Sequence, residues 1–319
     1  MKAAVTYVFL LVSCLSAWAD GNHVVGVSYA TWHTKSSWGA AWGTPLLGDY
    51  ASNDPNIITR HAKWLADAGV DFIFIDWSND LPYSPGCACR PDIQPIEDAT
   101  YAIFDTYGKI AKHPKIVLML GFPSDQSALR DGALQKKADQ VYQDFIANRQ
   151  RAAVYELYEG KPLLMVYTGT PSPYDASLPP WNDARFTIRW ITGFLTQQGS
   201  LLGPDRVSKF GYWSWEDRGP QTYTIENGRP EAMTVTASWR ADVNAHVPAR
   251  SRMGGATFID EWARARAIGV KLALVVSWNE WAVSEQISAE SGKDLEPSVE
   301  FDEFYLKLLK TEITQFKAQ

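Results

Sequence analysis

The chain has 319 residues, a formal net charge of -6 and 14 tryptophans, and 46% of its residues are hydrophobic. A chain of this length can bury a substantial core as one large domain, so we expect a folded globular protein. The acidic balance, without a basic cluster, argues against nucleic acid and anionic membrane as partners. It leaves neutral ligands such as sugars open.

The first 19 residues have the features of a secretory signal peptide. Lys2 gives the positive start, Val5–Leu15 is mostly apolar, and Ala17-Trp18-Ala19 is a small-x-small cleavage site. The apolar run is too short to span a membrane comfortably. Cleavage would leave residues 20–319 as the domain of a secreted protein, extracellular or periplasmic. As an alternative, Leu11-Val12-Ser13-Cys14 resembles a lipobox, which would place a lipid anchor at Cys14.

Two cysteines remain after cleavage, Cys87 and Cys89, in a loop bounded by Pro85 and Pro91. Export makes a disulfide possible, although a bridge between positions i and i+2 closes a tight, strained ring. A disulfide that staples the loop and a pair of free thiols both remain open. Two thiols alone do not complete a zinc site, and the histidines have no ligand spacing, so we predict no metal site.

Apolar runs of strand length recur along the chain, and the early ones alternate with helical patterns. Eight runs predict strands, at Val24–Tyr29, Phe72–Asp76, Lys115–Leu120, Leu163–Tyr167, Phe186–Trp190, Phe210–Ser214, Met233–Ala237 and Leu272–Ser277. Helical spacing predicts helices near residues 57–68, 95–112, 133–156 and 301–316. The helix near 57–68 begins after Asn53-Asp54-Pro55 and ends before Gly69.

Strands that alternate with helices imply a parallel sheet, and eight such units in one chain predict an α/β fold of the (β/α)8 TIM-barrel type. We expect a single domain, irregular in its second half because the later strands leave little room for full helices. A doubly wound open sheet is the alternative, but no glycine-rich phosphate loop follows any predicted strand.

Polar and aromatic side chains follow the predicted strands at their carboxyl ends, which share one rim in a barrel. We expect the following residues of this rim to bind substrate: Tyr29, Trp32, His33, Trp77, Asn79, Tyr167, Trp213, Trp215, Glu216, Trp239, Trp278, Asn279 and Trp281. Indole faces stack on the apolar faces of pyranose rings, and the polar groups satisfy hydroxyls. The set therefore predicts a groove for a poly- or oligosaccharide. Trp38, Trp42 and Trp181, in Gly/Pro-rich loops, are expected to line it as well.

Glycoside hydrolysis needs two carboxyl groups with different protonation states. The residues predicted to be catalytic are Glu280, Asp76, Asp217 and Glu285. Glu280 leads this set because it directly follows an apolar strand, in Trp278-Asn279-Glu280-Trp281. The alternative is that Glu280 and Asn279 only bind the following loop. Arg218 can pair with Glu216 or Asp217, which would keep that acid ionised and disqualify it as a proton donor.

Two parts of the chain resemble the family 71 and family 99 glycoside hydrolases. Trp42–Tyr50 with Asn53-Asp54-Pro55, followed by His61–Trp77, looks like the opening of these enzymes, and Ser277–Trp281 with Leu295–Ser298 resembles their closing signature. The resemblance implies a secreted (β/α)8 enzyme, related to endo-α-mannosidases and α-1,3-glucanases. Such an enzyme cleaves α-linked polysaccharide or glycan chains internally and needs no cofactor.

The same resemblance assigns roles within the closing signature. Glu280 corresponds to the family 99 base that works beside the sugar 2-hydroxyl, and the family's acid, three residues later, falls on Val283. Valine cannot transfer a proton. Three outcomes remain open: another rim acid such as Glu285, Asp76 or Asp217 donates the proton, the mechanism differs, or the barrel binds saccharide without cleaving it.

Two nearby residues are given structural roles instead: we expect His61 to contact the preceding loop and Glu296 to order the loop that holds it. A lyase or esterase acting on acidic polysaccharide is disfavoured, because the predicted rim contains few Lys or Arg side chains to neutralise uronates.

Overall fold

The structure, a computed structural model, describes residues 23–78, 93–122, 127–168, 178–241, 247–281 and 288–319. The predicted signal peptide with Cys14, together with Asn79, Cys87, Cys89, Val283 and Glu285, lies outside the described residues. The expectations placed on these residues therefore stay predictions. Within the described ranges, no helix is both long and apolar enough to cross a bilayer.

The described part of the chain forms a nearly closed, barrel-shaped sheet. Its strands are β1 Val24–Tyr29, β2 Phe72–Trp77, β3 Lys115–Phe122, β4 Leu157–Tyr158, β5 Lys161–Thr168, β6 Thr187–Thr192, β7 Trp213–Ser214, β8 Tyr223–Glu226, β9 Arg229–Thr236 and β10 Leu272–Val276. Eight of them are parallel, in the order β7-β6-β5-β3-β2-β1-β10-β9, and β4 and β8 are antiparallel additions to β5 and β9. The Thr234 hydroxyl of β9 donates to the Ser214 carbonyl of β7 where the ring closes. The predicted single-domain barrel is confirmed.

Helices cover the outside of the sheet. They are α1 Pro55–Ala68, α2 Gln94–Tyr107, α3 Ser127–Arg130, α4 Ala133–Val141, α5 Arg149–Ala152, α6 Ala256–Ile268 and α7 Phe304–Lys317. The helix predicted over 133–156 is divided, because a π-helical turn at Tyr142–Ile146 separates α4 from α5. Three short 3-10 turns within residues 195–206, instead of an α-helix, connect β6 to β7. This connection agrees with the irregularity predicted for the second half of the chain.

Helix α1 shows how local sequence determines an element. The Asp54 side chain accepts a hydrogen bond from the Asn56 N–H, Pro55 occupies the first turn, and Gly69 ends the helix with a φ of 91°. These are the standard start and stop signals of a helix. The apolar face, which includes Ile58 and Leu65, packs against the sheet.

Strand side chains alternate between two cores. One buried cluster draws its members from strands alone, with Phe72, Phe74, Leu272 and Leu274 among them, and it fills the inside of the barrel. The other cluster combines outward-facing strand residues with the helices. Because successive strand residues point to opposite faces, this alternation decides which residues at the carboxyl ends reach the mouth of the barrel.

Candidate active site

A cavity of about 250 Å³ lies at the carboxyl ends of the strands. It is lined by Trp42, Tyr167, Phe194, Trp215, Glu216, Arg218, Trp239, Arg240, Glu280, Ser291, Gly292, Lys293 and Asp294. Tyr167 belongs to β5, and the segments after β7, β9 and β10 supply most of the other side chains. The strand ends therefore bring together part of the rim that the sequence predicts.

One wall of the cavity carries charges of alternating sign. Lys293 Nζ donates a hydrogen bond to Glu216 Oε2 at 2.8 Å and forms an ion pair with Glu280 Oε2 at 2.7 Å. Arg218 Nε donates to Glu216 Oε1 at 3.0 Å. The side chains of Lys293, Glu216 and Glu280 are 14%, 2% and 19% exposed. Because one nitrogen contacts both carboxyl groups, at 2.8 and 2.7 Å, their Oε2 atoms lie no more than 5.5 Å apart.

The surroundings shift the pKa values of the two glutamates in opposite directions. Burial raises the pKa of Glu280, and the charge of Lys293 offsets that rise only in part. Burial also acts to raise the pKa of Glu216, but the charges of Lys293 and Arg218 outweigh it and hold that pKa below its ordinary value. Two carboxyl groups with divergent pKa values are the arrangement that acid–base chemistry on a glycoside requires.

Lys293 keeps its positive charge in this position. Burial alone would lower the pKa of Lys293, but the neighbouring Glu216 and Glu280 outweigh it and raise that pKa above its ordinary value. The ammonium group is therefore a permanent cation and not a proton carrier. The expectation that the rim contains few Lys or Arg residues is wrong, because Lys293, Arg218 and Arg240 all line the cavity.

Asp76 lies at the end of β2 and faces the inside of the barrel, in register with Phe72 and Phe74. Its Oδ1 accepts a hydrogen bond from the Ser78 N–H at 2.7 Å. Burial raises the pKa of Asp76, while the hydrogen bonds from Ser78 and the charge of Lys293 lower it by a smaller amount. The charge of Lys293 thus acts on Asp76, although Asp76 is not among the residues that line the cavity.

Asp217 does not face the cavity, which corrects its predicted catalytic role. It is buried and accepts hydrogen bonds from the Thr196 N–H at 2.9 Å, the Ser214 hydroxyl at 2.8 Å, and the N–H and hydroxyl of Thr222 at 2.6 and 2.8 Å. Its acceptor capacity is used in joining three loop segments. Burial raises the pKa of Asp217, but neither Asp217 nor its hydrogen-bond partners line the cavity.

Seven residues predicted to bind substrate are buried in the protein interior instead: Tyr29, His33, Trp77, Trp213, Trp278, Asn279 and Trp281. Strand alternation explains Tyr29 and Trp77, whose side chains point outward to the helices. Trp213 points inward below the cavity, where its indole N–H donates to Glu231 at 3.0 Å. We therefore correct the expectation that these seven residues contact a sugar.

Trp32 is partly buried against the outer core and does not line the cavity, which corrects its predicted role too. Of the predicted binding residues, Tyr167, Trp215, Glu216 and Trp239 line it.

The three loop tryptophans lie in different surroundings. Trp42 lines the cavity, as expected. Trp38 is instead buried, with its ring stacked on His33 at a centroid distance of 4.4 Å. Trp181 packs edge-to-face on Trp190 at 6.2 Å, outside the cavity wall.

A buried polar network fixes the segment that carries Glu280. Glu296 Oε1 lies 2.9 Å from His61 Nε2, and its Oε2 accepts hydrogen bonds from the Tyr50 hydroxyl at 2.8 Å and the Trp281 indole at 2.7 Å. His61 and Glu296 thus have the ordering roles that the sequence predicts. Trp281 takes a φ of 47°, a left-handed conformation uncommon for a large residue, and its indole hydrogen bond holds it there.

Asn279 is held equally firmly on the other side of Glu280. Its Oδ1 accepts from the Ala30 N–H at 2.8 Å, its Nδ2 donates to the Ala30 carbonyl at 3.1 Å, and its own carbonyl contacts His33 Nε2 at 2.8 Å. The residues before and after Glu280 therefore point into the protein, and the Glu280 side chain alone reaches the cavity. The position of Glu280 at the cavity favours a role at the site over the alternative in which it only binds the following loop.

Lys293 is the main site residue that the sequence analysis missed. It lies two residues before the closing signature Leu295–Ser298, and Gly292 precedes it. A Cβ atom on Gly292 would lie 2.4 Å from the Trp42 ring, so only glycine permits this close approach. The Gly292-Lys293 pair, which lies between two polar segments, was the feature of the sequence that could have indicated this site residue. Phe194 and residues 291–294 were missed because they belong to loops without a strand pattern.

Comparisons with known proteins agree with this architecture. No protein-family profile and no curated protein matches the chain in sequence. A structure of the GH99 endo-α-mannosidase from Bacteroides thetaiotaomicron, in complex with bis-tris propane, matches with a TM-score of 0.61 and 15% identity over 92% of this chain and 97% of that chain. A second structure of the GH99 endo-α-mannosidase from the same organism matches at 0.58 and 14%, over 93% and 98%.

A structure described as a glycoside hydrolase-like protein matches with a TM-score of 0.55 and 13% identity, over 98% of this chain and 97% of that chain. At such identities the likeness concerns the fold. This chain therefore shares the barrel fold of these glycoside hydrolase structures.

Proposed function

We propose that the protein is a secreted glycoside hydrolase that cleaves α-linked polysaccharide or glycan chains internally, with Glu280 as a proton-transferring carboxyl group. The observation that carries the proposal is the position of Glu280. It is the one side chain of its segment that enters an aromatic-walled cavity, and burial raises its pKa beside an ionised second carboxylate. A carboxyl group tuned in this way transfers protons efficiently near neutral pH.

The other acids supply the remaining roles. Hydrolysis adds water across the glycosidic bond, so one group must protonate the leaving oxygen and another must accept a proton. Asp76 has a raised pKa, which suits the donor, and the charge of Lys293 acts on it. Glu216 stays ionised and cannot donate, but its charge stabilises the positive charge that develops on the sugar ring. Glu285 remains a further candidate for the donor.

The aromatic lining supports a sugar ligand. Trp42, Trp215, Trp239 and Tyr167 present ring faces and edges around the charged wall. Such rings pack on the C–H faces of pyranoses, while charged groups bind the hydroxyls. The matched structures of endo-α-mannosidases support α-linked, internally cleaved chains as the substrate class.

The test uses the mature chain, residues 20–319, on α-glucans, α-mannans and amino-sugar polymers, scored by new reducing ends and product length. We expect oligomeric products from at least one α-linked polymer. Glu280→Gln should lower turnover by roughly a thousandfold or more while oligosaccharide binding stays measurable by calorimetry. Glu303→Gln, a matched change at an exposed surface site, should leave turnover unchanged. Near-wild-type turnover in Glu280→Gln would remove Glu280 from the reaction.

A second candidate function is a saccharide-binding barrel without hydrolysis. The favouring observation is that Lys293 engages both Glu216 and Glu280 while Arg218 also pairs with Glu216, so the two cations can balance the two carboxylates in a site that only binds. Calorimetric binding of a panel member, with no reducing ends released from any of them, would support this function over the first.

A further inference from the structure

We infer that Lys293 is the positioning residue of this site, which holds Glu280 in its reactive orientation and keeps its carboxylate available as a base, with Glu216 as the anchor of the lysine. The inference rests on the proposed function and adds a residue and a mechanism of control to it.

The contacts of Lys293 support this role. An ammonium group has three donors, and here one binds Glu216 at 2.8 Å while the group also pairs with Glu280 at 2.7 Å. With only 14% of its side chain exposed, the lysine is stable in this position because two carboxylates compensate its lost hydration. Each carboxylate thus depends on the position of the same nitrogen.

Glu216 is fixed from its other side. Its Oε1 accepts from Arg218 Nε at 3.0 Å, and the guanidinium carbon of Arg218 lies 3.8 Å from the centre of the Phe194 ring. Glu216 is almost fully buried. It therefore cannot follow a moving lysine, and it acts as a fixed anchor for the ammonium group.

The backbone on both sides of Lys293 is fixed as well. The Gly292 carbonyl accepts from the Ser238 hydroxyl at 2.8 Å, and the Asp294 carbonyl accepts from Arg252 Nη2 at 2.7 Å. The Asp294 carboxylate accepts from the Trp42 indole at 2.7 Å. The lysine thus extends from a fixed loop to a fixed anchor, and the carboxyl group of Glu280 is the partner that it positions.

The charges around Glu280 predict what loss of the lysine would do. Within the described part of the chain, the charged and titratable groups that face Glu280 or its ion partner are Lys293, Asp294, Glu216, Arg218, Arg240, Asp76 and Tyr167. Among the described residues, Lys293 is the one that forms an ion pair with the Glu280 carboxylate. Without it, burial and the neighbouring acids all favour the protonated form, so the pKa of Glu280 should rise and the base should be lost at neutral pH.

The first readout is the pH dependence of kcat/KM in the mature chain. A base works only when ionised, so Lys293→Met should shift the rising limb to higher pH by about one unit or more. At a pH below the rising limb of both the wild-type and the Lys293→Met profile, kcat/KM of the variant should be roughly tenfold or more lower than that of wild type, with KM changed by less than about threefold. Lys293→Arg should return the rising limb most of the way to its wild-type pH. Lys307→Met, at an exposed site, should leave the pH of the rising limb unchanged.

The second readout needs no substrate. The Glu280 carboxyl carbon is titrated by ¹³C NMR and assigned with Glu280→Gln. Lys293→Met should raise the titration midpoint by about one unit, and Glu216→Gln should lower it, because a negative neighbour is lost while the lysine remains. A lysine that only supports the fold would not produce shifts of opposite sign.

An unchanged Glu280 midpoint in both variants would overturn the inference, and so would a rising limb that stays in place in Lys293→Met. If no glycan is cleaved but the midpoints move as expected, the proposed hydrolysis fails while the role of Lys293 stands. Should Lys293→Met fail to fold, Lys293→Gln takes its place, because it keeps a hydrogen-bond donor and removes the charge: a Glu280 midpoint that rises supports the inference, and one that stays or falls contradicts it.

Discussion

Glu216 and Asp217 are neighbours in the chain and have opposite surroundings in the molecule. Glu216 enters the cavity and pairs with two cations, while Asp217 is buried among four hydrogen-bond donors. Asp76 and Trp77 likewise point to opposite faces of the sheet at the end of β2. At the scale of single residues, the direction of one side chain separates a reactive group from a structural one.

Asp217→Asn should therefore weaken the fold and spare the chemistry. The side-chain amide of the new asparagine would point an N–H group at the hydrogen-bond donors that Asp217 now accepts from. We therefore expect a loss of about 2 kcal/mol in the free energy of unfolding, measured in urea. Turnover per folded molecule should stay within about twofold of wild type. A variant of normal stability with strongly reduced turnover would return Asp217 to the catalytic set.

Trp215→Ala tests the aromatic wall. Loss of a stacking indole should weaken oligosaccharide binding about tenfold, measured by calorimetry in the Glu280→Gln background. Trp181→Ala is the matched change, because this indole lies outside the cavity wall and should leave the affinity for sugar unchanged. Equal losses in the two variants would count against a ligand site at Trp215.

At the scale of elements, the segment around Glu280 is rigid because of the network on Glu296. Glu296→Ala would leave His61, the Tyr50 hydroxyl and the Trp281 indole without their buried acceptor. We expect a loss of about 3 to 5 kcal/mol in the free energy of unfolding. Glu303→Ala, at the surface, should cost less than about 0.5 kcal/mol. Similar unfolding curves for the two variants would contradict the role given to the network.

The loop that carries Lys293 depends on the contact between Gly292 and Trp42. A Cβ atom in Gly292→Ala would lie 2.4 Å from the ring, so the loop must shift and move the lysine away from Glu280. We expect turnover to fall roughly tenfold or more, with the pH profile displaced in the same direction as in Lys293→Met. Gly199→Ala, where a Cβ atom meets nothing within 4 Å, is the control. Wild-type activity in Gly292→Ala would argue against this positioning.

The elements also show how far sequence reasoning reaches. β1 and α1 were predicted closely, because an uninterrupted apolar run and a capped amphipathic stripe are local signals. The bounds of helix α6 were not predicted, and its core-facing stripe of Phe258 and Trp262 includes the buried carboxylate of Glu261. That carboxylate accepts from the Thr236 N–H, a partner 25 positions away that no local pattern reveals.

The candidate site was predictable only in part, for the same reason. The sequence located Glu280, Trp215 and Tyr167 through their place after strands. It did not distinguish inward from outward side chains at strand ends, where Trp77 and Trp278 point into packed interior. Lys293 depends on loop packing, which lies beyond strand and helix periodicity.

At the scale of the whole molecule, the charges far from the cavity affect stability. Glu156, at the amino-terminal end of the barrel beside Lys115 of β3, has its pKa raised to about 7 by burial and by the charge of Asp71. A folded-state pKa above the unfolded value means that the stabilising proton is fully present below about pH 4.5 and is lost as the pH rises through 7.

Glu156→Gln removes this dependence. Because the side chain is partly exposed, we expect a discounted gain of about 2 kcal/mol over wild type at pH 8, which vanishes near pH 4.5. Urea unfolding of both proteins between pH 5 and 8 measures the difference. A constant difference across that range would show that Glu156 does not titrate as described.

The barrel as a whole brings residues from positions 42 to 294 to one mouth, and the location of bound sugar tests this most directly. The measurement is a crystal structure of Glu280→Gln with an oligosaccharide that the wild-type chain binds or cleaves. The account predicts a sugar ring packed on Trp215 or Trp239, with a glycosidic oxygen or ring hydroxyl beside residue 280. A ligand bound at the amino-terminal end of the barrel, or on its outer surface with the cavity empty, would contradict it.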